Sequence, residues 1–170
     1  VAYACPGRFD AAEADLNAII ASVLQTLPDH PRIHTVCNLE PDLWKIKIDP
    51  RQVHMIVANL FTNACEAIAT QGRIKITTRN LDKTSSDQAY LPELGSGAYV
   101  RLTVQDTGCG IQPEDLRRIF EPFYSTKFMG RGMGLAAVQG IAKGCGGHIE
   151  VTSAPCCTSF SVYVPAAKTA

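Results

Sequence analysis

The segment Asp106-Thr107-Gly108-Cys109-Gly110-Ile111 constrains this 170-residue chain more than any other. It ends a run in which Val100, Leu102 and Val104 alternate with their neighbours, the period of a half-buried strand. An acid and two glycines at a strand end hold a carboxylate at a tight turn and leave room beside it for a flat ring. Downstream, Gly130-Arg131-Gly132-Met133-Gly134-Leu135 is a glycine run opening an apolar helix, where free backbone N–H groups and the helix dipole favour phosphate. Upstream, Asn59-Leu60-Phe61-Thr62-Asn63-Ala64 sets two amides on one helical face, because side chains four apart stack above one another. Amide oxygens aimed together suit Mg²⁺. One glycine cluster alone occurs in ordinary turns; three elements in this order describe a nucleotide pocket.

The remaining pattern supplies a frame for that pocket. Asp15-Leu16-Asn17 opens an amphipathic helix carrying Ile19, Ile20, Val23, Leu24 and Leu27, and Pro28 with Pro31 ends it. Ile33, Thr35 and Cys37 alternate as a strand, and Trp44, Ile46 and Ile48 make a second. Asp49-Pro50 restarts a helix in the favoured cap-then-proline order. That helix runs to about Thr70 with Val53, Ile56, Val57, Leu60, Phe61, Ala64 and Ile68 facing the core, and Gly72 stops it. Residues 73–79 alternate and pair with 99–105, while the polar stretch 80–97 reads as an exposed hairpin loop. Residues 113–119 read as a short helix and 134–143 as a longer one, with 149–153 and 159–164 closing the sheet as a hairpin. The fold expected is α/β: a two-layer α/β sandwich in which a mixed, mostly antiparallel sheet carries helices packed on one face.

Charge and cysteine content narrow the function. With 16 basic and 16 acidic residues, the chain has no net field to draw in nucleic acid or an anionic membrane surface. No apolar run approaches the roughly 20 residues needed to span a bilayer, and the first six residues lack the character of a signal peptide. A soluble, cytoplasmic protein without direct membrane contact is expected. Seven cysteines are an odd number, and Cys65, Cys109 and Cys145 fall in helix or turn motifs, which favours buried free thiols over a disulfide framework. A zinc site from Cys145, His148, Cys156 and Cys157 is the alternative, but the spacing lacks a CxxC pair.

With these residues in place, the chain resembles the ATP-binding catalytic domain of bacterial sensor histidine kinases. That family shares the Bergerat (GHKL, HATPase_c) fold with DNA gyrase, mismatch-repair ATPases and a heat-shock chaperone. Residues 59–64 are similar to the N box and 106–111 to the G1 box. The F box resembles Phe120-Glu121-Pro122-Phe123-Tyr124-Ser125-Thr126-Lys127, and the G2 box resembles 130–135. The likeness covers nearly the whole chain and is greatest to soluble, PAS-linked kinases with a short lid. It implies a catalytic domain over residues 15–165, preceded at 1–14 by the end of a dimerisation bundle or a linker and followed at 166–170 by a tail.

The resemblance also implies roles. Asp106 would accept the adenine amino hydrogen, where the plainer alternative is a carboxylate serving its own turn. Asn63 would ligate Mg²⁺ rather than stand as a surface amide. Asn59 occupies the place where ATP-hydrolysing relatives carry a glutamate, and an amide cannot take a proton from water, which favours phosphoryl transfer over hydrolysis. Glu66 does not replace it, being rotated about 300° around the helix from Asn63. Lys127 would reach the terminal phosphates as a flexible point charge, so Asn59 and Lys127 are the catalytic candidates. Gly108, Gly110, Gly130, Gly132, Met133, Gly134 and Leu135 complete the nucleotide-binding set. Arg131 meets either a phosphate or the partner helix bundle.

Phe120, Pro122, Phe123 and Tyr124 read as packing at the lid base, letting 112–131 order with nucleotide. Thr158 matches the threonine that supports the adenine-binding aspartate. It follows Ala154-Pro155-Cys156-Cys157, which lacks both glycines of the family's Gly-x-Gly-Thr turn. The implied cofactors are ATP and Mg²⁺. The implied partners are the kinase's own dimerisation and histidine phosphotransfer domain and a response regulator or fused receiver domain, in a homodimeric full-length protein. A gyrase-like ATPase and a serine-directed, anti-sigma-type kinase are the alternatives.

Overall fold

The structure is a computed structural model that describes residues 10–83, 91–124 and 134–167. Its elements run β1 (Ala12–Ala14), α1 (Leu16–Thr26), β2 (Ile33–Asn38), β3 (Ile46–Ile48), α2 (Pro50–Ala67), β4 (Gly72–Lys83), β5 (Gly97–Asp106), α3 (Gly134–Gly144), β6 (His148–Ala154) and β7 (Cys157–Pro165). Five strands form one sheet in the order β2-β4-β5-β7-β6. Only β2 and β4 run parallel, with α2 in the crossover between them; the other neighbours are antiparallel. The expected mixed, mostly antiparallel sheet is present.

Period-two alternation decides which face is covered. Ile74, Ile76, Val100, Leu102, Val104, Phe160, Val162 and Val164 are buried and join one core with residues of all three helices. The intervening strand residues lie on the other face, including the hydroxyl pair Thr103–Ser161 at 3.0 Å. α2 contributes Val53, Ile56, Val57, Leu60, Phe61, Ala64 and Cys65 to that core, the stripe anticipated from spacing. Burying each large aliphatic side chain contributes about 1.5–3 kcal/mol, so this helix is fixed by its apolar stripe. Asp49 caps it: its carboxylate accepts Arg51 N–H at 2.8 Å and Asp10 N–H at 3.0 Å, with the Arg51 guanidinium at 2.7 Å.

Several expectations are corrected. α2 stops at Ala67, before Thr70, because the Ala67 carbonyl takes the Cys109 N–H at 3.0 Å in place of a helical donor. β4 continues to Lys83, so residues 80–83 are strand, and Lys83 is only 2% exposed. Its ammonium donates to the carbonyls of Leu91 and Leu94, beneath a small cluster of Leu94, Tyr99 and Tyr163. Residues 113–119 form successive turns, not a helix. Gln112 and Asp115 carbonyls each close a turn, but a short charged segment does not repay the cost of helix nucleation. Trp44 lies outside β3, with its N–H donating to Asn80 Oδ1 at 2.9 Å. The strand β1, paired antiparallel with β3, has no strong alternation to announce it.

Candidate functional site

The elements deliver the 106–111 turn, the two α2 asparagines and Gly134 to one end of the sheet. Asp106 is the last residue of β5 and continues its inward alternation, so its carboxylate lies on the core-facing side, 3% exposed. Gly108 N–H donates to Asp106 Oδ1 at 2.8 Å, which folds the turn back over the acid. Thr107 clips this strand end to the start of β4: its N–H donates to Arg73 O at 3.1 Å, and its Oγ1 accepts Arg73 N–H at 2.9 Å.

Both glycines of the turn have a steric reason. A Cβ on Gly108 would stand 2.5 Å from Ala67 Cβ, so the turn packs directly on the end of α2 and admits no side chain. Gly110 has φ +75, in the left-handed region that glycine adopts freely, and its Cβ position lies 2.7 Å from Ala154 O. The turn is thus pressed between the helix bearing the two asparagines and the β6–β7 hairpin.

Asn59 and Asn63 are both half-buried on α2. Asn59 Nδ2 donates to Met55 O at 2.9 Å, and its Oδ1 lies 2.8 Å from where a Cβ on Gly134 would stand. The first residue of α3 therefore touches the N-box amide, bringing a helix N-terminus with its partial positive charge to the same place. Leu135 packs partly buried against the core. Lys127, Gly130, Arg131, Gly132 and Met133 lie outside the described residues.

Thr158 is 2% exposed and stands directly opposite Asp106 in the β5–β7 register. Its Oγ1 is 3.0 Å from Ser153 Oγ, which also accepts the Ile111 N–H at 2.8 Å. Ser153 was missed in the sequence; the available signal was its inward position beside Thr158 in the β6–β7 hairpin. The glycine-less turn closes with Ala154 opposite Cys157 and with Cys156 at φ +64.

The aromatic segment divides. Phe120 meets Phe160 edge-on at 6.5 Å and packs against the core, but Phe123 is 72% exposed with φ +67, so its expected packing role is corrected. Tyr124 donates its hydroxyl to Asp115, which raises its pKa, and stacks under Arg118 with the guanidinium carbon 4.2 Å from the ring centroid. The expectation of buried thiols is also corrected: six described cysteines are free, yet Cys37, Cys109 and Cys156 are exposed. Burial, then the neighbouring Glu66 charge, pushes the Cys65 thiol up to about 11, a poor nucleophile. Among the described residues, no cluster of three or more His, Cys, Asp or Glu side chains is arranged to hold a metal ion.

Residues that could hold Mg²⁺ are therefore the α2 amides, whose neutral oxygens would act together with the phosphates of a bound nucleotide. The site as a whole offers an acceptor for an amino group in the Asp106 carboxylate, two amide side chains on α2, and a helix N-terminus for phosphate. No described helix is long and apolar enough to cross a membrane.

Comparison with known proteins agrees with this geometry. Residues 48–168 match the family described as histidine kinase-, DNA gyrase B-, and HSP90-like ATPase. The sensor kinase CckA of Brucella abortus (strain 2308) is 35% identical over 162 residues, covering 89% of this chain and 16% of its own length. The sensor histidine kinase ZraS of Klebsiella oxytoca is 33% identical over 164 residues, covering 94% of this chain and 32% of its own length. This chain thus spans a third or less of either relative. Among solved structures, full-length ShkA in complex with AMPPNP superimposes with a TM-score of 0.74 at 25% identity, over 98% of this chain and 33% of that one.

Proposed function

Because this chain belongs to the histidine kinase-, DNA gyrase B- and HSP90-like ATPase family, we propose that it is the ATP- and Mg²⁺-binding catalytic domain of a two-component sensor histidine kinase. The observation that carries this reading is the buried Asp106 carboxylate at the glycine turn, opposite Thr158 and beside the helix that bears Asn59 and Asn63. A carboxylate only accepts hydrogen bonds. It suits the exocyclic amino group of adenine and opposes the carbonyl that guanine presents there.

Asn63 holds Mg²⁺ together with the nucleotide's phosphates, and the α3 N-terminus and Lys127 neutralise phosphate charge. A histidine nitrogen of the separate dimerisation domain attacks the γ-phosphorus; the bond to the β–γ bridging oxygen breaks and ADP leaves. Such transfer depends on positioning and charge neutralisation more than on covalent participation by the protein. Asn59 supplies no general base for water, in keeping with transfer to histidine. The phosphoryl group then passes to an aspartate of a response regulator or fused receiver domain, and the full-length kinase is a cytoplasm-facing homodimer.

Calorimetric titration with Mg²⁺ present tests the binding step. ATP is expected to bind more tightly than GTP, and Asp106→Asn to lose about 1.5–3 kcal/mol of ATP affinity, the worth of a hydrogen bond to a charged group. Equal affinity for the two nucleotides overturns the adenine assignment. Steady turnover of ATP without any histidine-bearing acceptor overturns the transfer assignment.

A further inference from the structure

We propose that Ser153 is a positioning residue for nucleotide binding, acting through the Ile111 amide to hold the 106–111 turn in the shape that presents Asp106. Ser153 is next to last in β6, and its hydroxyl has three partners: Ile111 N at 2.8 Å, Thr158 Oγ1 at 3.0 Å and Cys157 O at 3.2 Å. A serine hydroxyl has one proton and two lone pairs. Donating to the Cys157 carbonyl while accepting from the Ile111 N–H and the Thr158 hydroxyl uses all three.

The register places this hub beside the acid. Ser153 is opposite Thr158 across β6–β7, and Thr158 is opposite Asp106 across β5–β7, so the three side chains form one row on the core-facing side. Beyond the Thr107 clip to Arg73 near its start, the turn is then held at three further points. Asp106 Oδ1 takes Gly108 N–H near its start, Ala67 O takes Cys109 N–H in its middle, and Ser153 Oγ takes Ile111 N–H at its end. The Ser153 contact reaches across 42 residues of chain. Gly110, the turn's residue of positive φ, lies between the second and third points and against the Ala154 carbonyl. Without the third point, the glycine-rich turn has an unheld end, and a nucleotide must order it on binding.

This inference rests on Asp106 receiving the adenine, so the experiment carries a control for that reading. ATP affinity and thermal stability are measured on the 170-residue chain for Ser153→Ala, Ser153→Thr, Asp106→Asn and Thr103→Ala. Thr103→Ala removes a hydroxyl pair on the opposite face of the same sheet and reports what a sheet defect alone does. Ser153→Ala is expected to weaken ATP about fivefold, the equivalent of one net hydrogen bond. Ser153→Thr is expected to restore binding, and Thr103→Ala to leave it unchanged whatever it does to stability.

ATP affinity within twofold of wild type in Ser153→Ala, with Asp106→Asn clearly weakened, overturns the inference alone. An unweakened Asp106→Asn overturns the binding reading and this inference with it. Should Ser153→Ala not fold, amide exchange in the unsubstituted chain decides: Ile111 N–H is expected to be protected and to slow further with ATP. Exchange of Ile111 at the rate of an open amide overturns the proposal.

Discussion

At the scale of single residues, the pocket is built from side chains whose capacity to bond is narrow. Asn63 offers a neutral oxygen on a rigid helix, so Asn63→Ala is expected to lower Mg²⁺-dependent nucleotide affinity at least about tenfold, while affinity without Mg²⁺ changes little. Titrations with and without the cation separate the two. Lys127→Ala, by contrast, is expected to weaken ATP and spare ADP if, as proposed, its charge serves the terminal phosphate; equal loss for both nucleotides places that lysine elsewhere. Asp106, Asn59 and Asn63 were legible in the sequence because each belongs to a short local pattern, a strand ending in glycines or two amides four apart. Ser153 was not, since its bond to Ile111 depends on a register formed between distant segments. Phe123 misled for a related reason: an aromatic beside other aromatics suggests packing, and only the backbone, at φ +67, turns it outward.

At the scale of elements, caps and turns decide what composition leaves open. The start of α2 depends on an ionised Asp49. The Arg51 guanidinium, aided by the backbone N–H groups of Arg51 and Asp10 and opposed by burial, holds its carboxyl down at about 2. A depressed folded pKa means that this contribution is complete above the unfolded value of about 3.9 and is lost as pH falls toward the folded one. Stability measured by denaturant titration is therefore expected to drop between about pH 4 and pH 2, and Asp49→Asn to flatten that slope. The β6–β7 turn runs the other way. Cys156 sits at φ +64, where a side chain costs about 1–2 kcal/mol and glycine very little. Cys156→Gly is expected to raise the melting temperature by about 2–4 °C per kcal/mol regained. The cap was visible in Asp49-Pro50, whereas the turn was visible only as a departure from the expected glycines. Residues 113–119 show the limit of periodicity, since a pattern too short to propagate settles into turns.

At the scale of the whole molecule, two packing units share one sheet. The main core lies under the helices, and a smaller cluster of Leu94, Tyr99 and Tyr163 gathers over the far end of β4 and β5. Lys83→Met takes the ammonium away from the Leu91 and Leu94 carbonyls, of which Leu91 O keeps the Leu94 N–H, and is expected to destabilise the chain by about 1–3 kcal/mol, read by thermal melting, with ATP affinity unchanged because the site lies at the opposite strand ends. The sheet and its helical face were legible from alternation. The second cluster was not, because a lysine and a polar stretch do not declare themselves as interior. The parallel pairing of β2 with β4 across α2 bears on how the molecule comes into being. The β4–β5 and β6–β7 hairpins close between chain neighbours, but β2 must find β4 across the full length of the helix that carries Asn59 and Asn63, and β5 must find β7 across a longer stretch still. Contacts so distant in sequence form late, after the loop entropy between them has been lost. A refolding chain is therefore expected to acquire strand signal before it gains any affinity for nucleotide, so that ligand capture marks the final step of assembly.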